Sequence, residues 1–506
     1  MKTMVALMTL FTACLAAAVD EGPFKPNYES LKQYQCPEWF RDAKFCIYAH
    51  WGPQSVPMEG DWYARRMYEQ DSPAYTYHVE HYGHPSVFGY KDILPLWKAE
   101  KWDPDRLMAL YKKAGARYFV CVAVHHDNFD LWNSKYHRWN SVNMGPKRDV
   151  VGDWQKAAKK QGLPFGVTEH LGASYWFLQR SHGTDKTGPK AGVPYDGADP
   201  NYQDLYHTAA AKGDTKWYTT DPDWHQEWLL RITDLIDQYH PDMLCSDGGV
   251  PFGDVGLGMI AHFYNDNLKG HGGKLTAVYY CKDIASSSGS FVDGICVQGM
   301  ERGTLAGINP NPWETGTSIG DWFYNRNWTK CNGGMYRKAD WVIHTLADIV
   351  SKNGNLRLNV VQRPDGSLDA EVEQLLVDVG RWMDVNGEAI YATRPWRVFG
   401  EGPVNAAGKH FKEDFTYSAE DIRFTRSKDG TVLYAIVLGW PTDGKLTIQS
   451  LAQGTKLDSG EVADVRLLGH DGKLKWSRDE KGLTIQLPEK KPGDYAFTFK
   501  IKGQSK

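Results

Sequence analysis

Asp247 closes the run His240-Pro-Asp-Met-Leu-Cys-Ser-Asp247 and stands directly before two glycines. A carboxylate at the end of a short apolar strand is placed where barrels of parallel strands carry their catalytic side chains. Its chemistry would be that of a nucleophile or an acid/base. Other apolar runs end in polar or aromatic groups too: His50-Trp51-Gly52, His125-His126-Asp127, Glu169-His170 and Met300-Glu301-Arg302, with Trp313-Glu314 following. One histidine at a strand end is commonly a satisfied core group. Polar clusters at successive strand ends argue for a site gathered at one face of a barrel.

Two chemistries compete for these residues. Glycoside hydrolysis needs one carboxyl to protonate the leaving oxygen and a second, ionised one to attack or to activate water. Asp247 is the first candidate, and Glu301 and Glu314 compete for the second role. Glu59 and Asp61 are further acids nearby. Metal catalysis is the rival, because His125-His126-Asp127 looks like a ligand cluster. Adjacent residues on a strand point to opposite faces, however, and the helical histidine spacing of zinc hydrolases is missing. No metal or other cofactor is therefore expected, and neutral imidazoles bonded to sugar hydroxyls fit better. The 20 Trp and 27 Tyr point the same way, since flat apolar rings stack on the C–H faces of sugars, although large barrels also bury many aromatics.

The elements that must position these groups alternate from about residue 40 to 360. Expected strands are 44–50, 117–124, 163–168, 243–245, 275–280, 292–297 and 356–361. Expected helices are 104–114, 154–161, 223–239 and 341–350. The helix at 223–239 carries Trp228, Leu229, Ile232, Leu235 and Ile236 at one-face spacing. Strands alternating with helices mean a parallel sheet, and their number suits an α/β fold of the (β/α)8-barrel type. Residues 181–220 are rich in Gly, Pro, Asp and Lys, a long connection on the barrel top of the kind that is commonly functional. After Trp396 the texture changes to short alternating runs separated by turns such as Lys428-Asp-Gly430 and Asp471-Gly472, the pattern of a C-terminal all-β sandwich. The expected division is 1–18 leader, 19–396 barrel and 397–506 sandwich. Few aromatics cluster in the last unit beyond Trp440 and Trp476, so it reads as a buttress rather than a sugar-binding module.

The first residues, Met1-Lys2-Thr3 followed by an apolar run to Leu15 and then Ala16-Ala17-Ala18, have the form of a secretory signal peptide cleaved near Ala18. Export to the periplasm or medium is expected. A lipoprotein acylated at Cys14 ranks second, because Phe11 sits where leucine is usual. No later stretch is apolar enough to span a membrane. The formal charge of −4 gives no reason to expect nucleic acid as a partner. Seven cysteines follow Ala18, none in a Cys-x-x-Cys pair, which excludes zinc-finger and dithiol redox chemistry. Oligomeric state and disulfide pairing stay open.

Several motifs together carry a resemblance. Trp39-Phe-Arg-Asp-Ala-Lys-Phe-Cys-Ile-Tyr-Ala-His50-Trp-Gly, Ser55-Val-Pro57 with Asp61-Trp62-Tyr63, His125-His126-Asp127, Ser351-Lys-Asn-Gly-Asn-Leu-Arg-Leu-Asn359 and Asn386-Gly-Glu-Ala-Ile-Tyr391 with Thr393-Arg-Pro-Trp396 resemble the glycoside hydrolase family 29 α-L-fucosidases. The resemblance implies a retaining, exo-acting hydrolase of fucosylated glycans, with Asp247 as nucleophile and Glu301 as acid/base, Glu314 in reserve. It implies that His50, Trp51, Asp61, Trp62, His125, His126, His170 and Lys282 bind substrate and that Trp322 faces the sugar methyl. Cys245 stands where many members have Trp, Lys282 where Arg is expected, and Asp61 where Glu is frequent. Two other readings remain: a hydrolase of a related sugar such as an α-L-galactoside, and an inactive carbohydrate-binding protein on the same frame.

Overall fold

The structure, a computed structural model, describes residues 22–282, 291–331, 334–405, 408–455 and 461–503. The expected leader, with Cys14, lies outside the described residues. Eight parallel strands close into a barrel in chain order: β1 (Phe45–Ala49), β2 (Tyr118–Val124), β3 (Phe165–Glu169), β4 (Met243–Ser246), β5 (Val278–Lys282), β6 (Val297–Glu301), β7 (Trp313–Ser318) and β8 (Gly354–Asn359). Closure is made by β1 against β8, with Ile47 opposite Leu358. The first four strands are buried throughout, as expected of strands covered on both faces.

Six helices of ten or more residues lie among the described residues: α1 (Pro104–Lys113), α2 (Val150–Lys160), α3 (Pro222–Tyr239), α4 (Asp254–Gly270), α5 (Ala339–Ser351) and α6 (Ala370–Asn386). Asp103 caps α1 by accepting from the Arg106 N–H, with Pro104 at the first helical position. There its missing N–H costs nothing. Asp149 and Asp221 cap α2 and α3 in the same way. The stripe Trp228, Leu229, Ile232, Leu235 and Ile236 of α3 is buried as its spacing predicts.

Several elements differ from the sequence expectations. The sixth strand is Val297–Glu301, not 292–297, which brings Glu301 onto the strand itself. The strand β7 was not anticipated, because Trp-Glu-Thr-Gly-Thr-Ser carries almost no apolar signal. Glu314 and Ser318 face the barrel interior, and Thr315 and Thr317 on the other face donate to the Gly303 carbonyl and to Glu413. Helices α4 and α6 were also missed, α4 because glycines dilute its first turns.

The C-terminal domain holds a five-stranded sheet in the order β13-β16-β11-β10-β9 and a three-stranded one in the order β12-β15-β14. Its strands are β9 (Thr393–Glu401), β10 (Ile422–Ser427), β11 (Val432–Val437), β12 (Lys445–Ile448), β13 (Val462–Leu467), β14 (Trp476–Asp479), β15 (Gly482–Gln486) and β16 (Phe497–Gly503). Both sheets contribute to one apolar core that includes Trp396, Phe424, Phe499, Leu446, Ile448, Leu483 and Ile485. The boundary expected at residue 396 falls inside β9. The domain docks on the barrel through a buried network: Asp348 of α5 bonds Arg423 of β10 and Lys352, each at 2.7 Å. Among the described residues no helix is long and apolar enough to cross a membrane, and the seven cysteines are unbridged.

Candidate active site

Side chains two apart on a strand share a face, and this sets two tiers inside the barrel. Tyr48 and His50 from the β1 end, Cys245 and Asp247 from the β4 end, and Tyr280 and Lys282 of β5 all border one cavity of about 630 Å³. Met300, Glu301 and Gly316 complete that rim from β6 and β7. Glu314, two residues before Gly316, lies one tier deeper.

Asp247 is held from two sides. Its Oδ2 lies 3.1 Å from Nε2 of His126 and 3.1 Å from Nδ1 of His170. Its Oδ1 accepts from the Lys282 ammonium. The same ammonium bonds Glu301 Oε2 at 2.6 Å, and the Trp322 indole donates to Glu301 Oε1 at 3.2 Å. Burial opposes the charge of Asp247, but Lys282 and His170 hold its carboxyl well below the usual carboxylate range. Burial likewise works against the Lys282 charge, yet Asp247 and Glu301 raise its pKa above the ordinary lysine value. An ionised carboxylate at the pocket floor is what nucleophilic attack requires.

His50, His125 and His170 are poised as neutral hydrogen-bonding groups. Burial lowers His170 to about 4, and burial with the neighbouring imidazoles lowers His50 and His125 well below the usual range. Nδ1 of His126 meets the His170 carbonyl at 2.7 Å, and Nδ1 of His125 meets the Gln54 amide at 2.7 Å. Both ring nitrogens of His50, Oδ1 of Asp61 and the Trp217 indole N–H are buried without a hydrogen-bond partner among the described residues, and all three residues line the cavity. Buried polar groups are ordinarily satisfied, so these are groups awaiting a polar ligand. Burial and the nearby Asp321 carboxylate push the Asp61 carboxyl well up, and a protonated carboxyl donates as well as accepts.

Strand alternation does not separate the histidine pair. Strand β2 ends at Val124, so His125 and His126 both enter the cavity, and nitrogens of His125, His126 and His170 lie within 4.8 Å of one another. His126 and His170 are tied to the Asp247 carboxylate, and His125 to the Gln54 amide.

Ten of the twelve residues singled out from the sequence line the cavity: His50, Asp61, Trp62, His125, His126, His170, Asp247, Lys282, Glu301 and Trp322. Two do not. Trp51 points the other way from His50, is 2% exposed, donates to the Arg363 carbonyl at 2.9 Å and packs edge-on against Trp97. It belongs to the core. Glu314 is fully buried, 3.0 Å from Arg357 Nε and 2.5 Å from the Tyr118 hydroxyl. Burial raises its carboxyl above the ordinary value while Arg357 opposes the rise. It supports Arg357 beneath the pocket and does not reach it. Glu314→Gln is expected to cost about 3–5 kcal/mol of stability, the scale of breaking a buried ion pair from one side. A thermal midpoint equal to that of the wild type would contradict this.

Other cavity residues were not anticipated. Trp217 comes from the long connection before α3 and stacks near Trp62 and Trp176. Phe411, Glu413 and Asp414 come from the segment between β9 and β10, and Trp328, Lys330 and Arg337 from the stretch after β7. Trp217, in Lys-Trp-Tyr within a long polar connection, was the one with a readable signal.

Comparison with known proteins agrees with this geometry. The family described as "Alpha-L-fucosidase" matches residues 11–388, and "Alpha-L-fucosidase C-terminal domain" matches 416–502. The chain is 29% identical over 499 residues to tissue alpha-L-fucosidase of Mus musculus, covering 96% of each chain. It is 28% identical over 492 residues to the Homo sapiens tissue enzyme, covering 95% of this chain and 92% of that one. The crystal structure of Thermotoga maritima alpha-fucosidase in complex with fucose superposes with a TM-score of 0.72 at 28% identity, covering 94% of this chain and all of that one. The chain belongs to the α-L-fucosidase family of glycoside hydrolases.

Proposed function

We propose that the protein is an exported, retaining, exo-acting α-L-fucosidase that removes terminal α-L-fucosyl residues from glycans. The observation that carries this reading is the single Lys282 ammonium bonded to both Asp247 and Glu301 on the floor of a cavity whose His50 and Asp61 atoms lack partners. Two hydrogen bonds from one nitrogen keep the nearest carboxylate oxygens within roughly 5 to 6 Å, a spacing that supports retention, for which about 5–5.5 Å is needed, over inversion with its longer separation. Export rests on the residue pattern of 1–18.

In this mechanism the sugar enters with its hydroxyls on His50, His125 and Asp61. The two imidazoles fix Oδ2 of Asp247, so Oδ1 is the attacking atom, and the flexible Lys282 stem lets the ammonium yield to the sugar. Oδ1 bonds the anomeric carbon while the carbon–oxygen bond to the leaving group breaks. Glu301 gives that oxygen a proton, then takes one from the water that hydrolyses the glycosyl-enzyme.

The test is hydrolysis of 4-nitrophenyl α-L-fucoside by the purified protein beside a panel of other nitrophenyl glycosides. Selective turnover of the fucoside supports the reading, and faster turnover of another sugar overturns it. The pH profile is a second check. The free enzyme works with Asp247 charged and His170 neutral, and kcat/KM reports the free enzyme. Asp247 is already ionised well below the ordinary value, and His170 gains its proton only as pH falls to about 4. The acid limb of kcat/KM is therefore expected near pH 4. An acid limb at the ordinary histidine value of 6.5 would contradict a neutral, buried His170.

A further inference from the structure

The segment between β9 and β10 leaves the C-terminal domain and returns to the barrel mouth. Residues 408–411 lie against 301–306 at backbone distance: a Cβ on Gly303 would sit 2.2 Å from the Lys409 carbonyl, and one on Gly408 2.7 Å from the Ala306 nitrogen. Only glycine allows that approach. The Glu301 N–H donates to Nδ1 of His410 at 3.1 Å, and the Phe411 N–H donates to the Glu301 carbonyl at 2.9 Å. Further along, Glu413 Oε1 meets Arg302 at 2.9 Å and Arg337 at 3.4 Å.

This clamp presents Phe411 in an unusual way. Its φ is +58°, a left-handed conformation that is costly for a bulky residue, and such strain persists where surrounding contacts over-determine it. The ring borders the cavity yet is 62% exposed. Trp328 is a second ring on that rim, with Lys330, Arg337 and Asp414 beside it. A cavity of about 630 Å³ is in the range that holds a ligand larger than one sugar ring.

Position decides what this outer part would hold. Attack by Asp247 and departure of the leaving oxygen occur on opposite sides of the anomeric carbon. The leaving group therefore lies on the Glu301 side, where the 408–414 segment is fastened. We propose that this segment forms a leaving-group subsite in which Phe411 is the stacking platform for a pyranose, with the charged residues of the rim bonding its hydroxyls. The inference rests on the fucosidase reading and adds that the C-terminal domain selects sugar leaving groups over small ones.

The test compares the full-length wild type, Phe411→Ala and Phe411→Trp on α-L-fucosyl fluoride, whose leaving atom reaches no subsite, and on two fucosylated trisaccharides, 2′-fucosyllactose and 3-fucosyllactose. The readout is the ratio of kcat/KM for the preferred trisaccharide to that for the fluoride. Phe411→Ala is expected to lower this ratio about tenfold, the upper range of one aromatic contact, and Phe411→Trp to restore most of it. A ratio unchanged in Phe411→Ala overturns the inference, as does a wild type that turns over the fluoride but neither trisaccharide. A wild type inert toward all three overturns the fucosidase reading and this inference with it.

Discussion

Asp247→Ala is expected to lower kcat/KM for 4-nitrophenyl α-L-fucoside by on the order of 10⁴-fold or more, the scale of losing a covalent nucleophile. The glutamates around it are engaged elsewhere. Glu301 is the other carboxylate on Lys282, but it sits on the leaving-group side. Glu169 is buried, with its Oε2 bonded by the Trp228 indole and the Gly172 N–H, and Glu314 is committed to Arg357. The smaller variant Asp247→Gly opens room for azide where the carboxylate stood. Azide attacking from that face gives the β-fucosyl azide. A circular dichroism spectrum like that of the wild type, with more than a few per cent of its activity, would remove Asp247 from the nucleophile role.

Glu301→Ala carries the second large effect, and it depends on the leaving group. General-acid assistance is worth roughly 10²–10⁴-fold, and it matters most when the departing oxygen is a poor leaving group. A fucosylated trisaccharide is expected to lose about 10³-fold or more in kcat/KM, and the nitrophenyl substrate, whose leaving group departs as a weak base, far less. Azide is expected to rescue this variant as well, now attacking the glycosyl-enzyme from the opposite face and giving the α-fucosyl azide. Equal losses on the two substrates would take the proton-donor role away from Glu301.

The barrel was legible in the sequence because its buried strands are written in Val, Ile, Phe, Tyr and Cys, and because Asp103 with Pro104 and the α3 stripe mark helices by their own local chemistry. The strand β7 was not, since Glu314 and Ser318 on its inner face and Thr315 and Thr317 on its outer face are all polar and leave no alternating pattern to read. Neighbouring positions explain the two kinds of error at the site. His50 and Trp51 were taken together, yet the period of two sends His50 into the cavity and Trp51 into the core. His125 and His126 were read by the same rule as divergent, yet they follow the last residue of β2 and both face inward.

The outer rim was the least legible part. Phe411 meets Glu301 across more than a hundred residues, in a domain that docks on α5 through Arg423 and Asp348. Nothing local to 408–414 announces it. The sandwich was expected to be a buttress, and it does brace the barrel, but the strap between its first two strands also builds the pocket wall.

The most direct measurement is mass spectrometry of the protein after incubation with 2-deoxy-2-fluoro-α-L-fucosyl fluoride. The fluorine at C2 disfavours the cation-like transition state of both steps, while the fluoride leaving group speeds the first, so a covalent intermediate accumulates. The account predicts one fucosyl label per chain, on the peptide that contains Asp247, and no label in Asp247→Ala. A label on another carboxylate, or turnover of fucosides by inversion with no label at all, would contradict it.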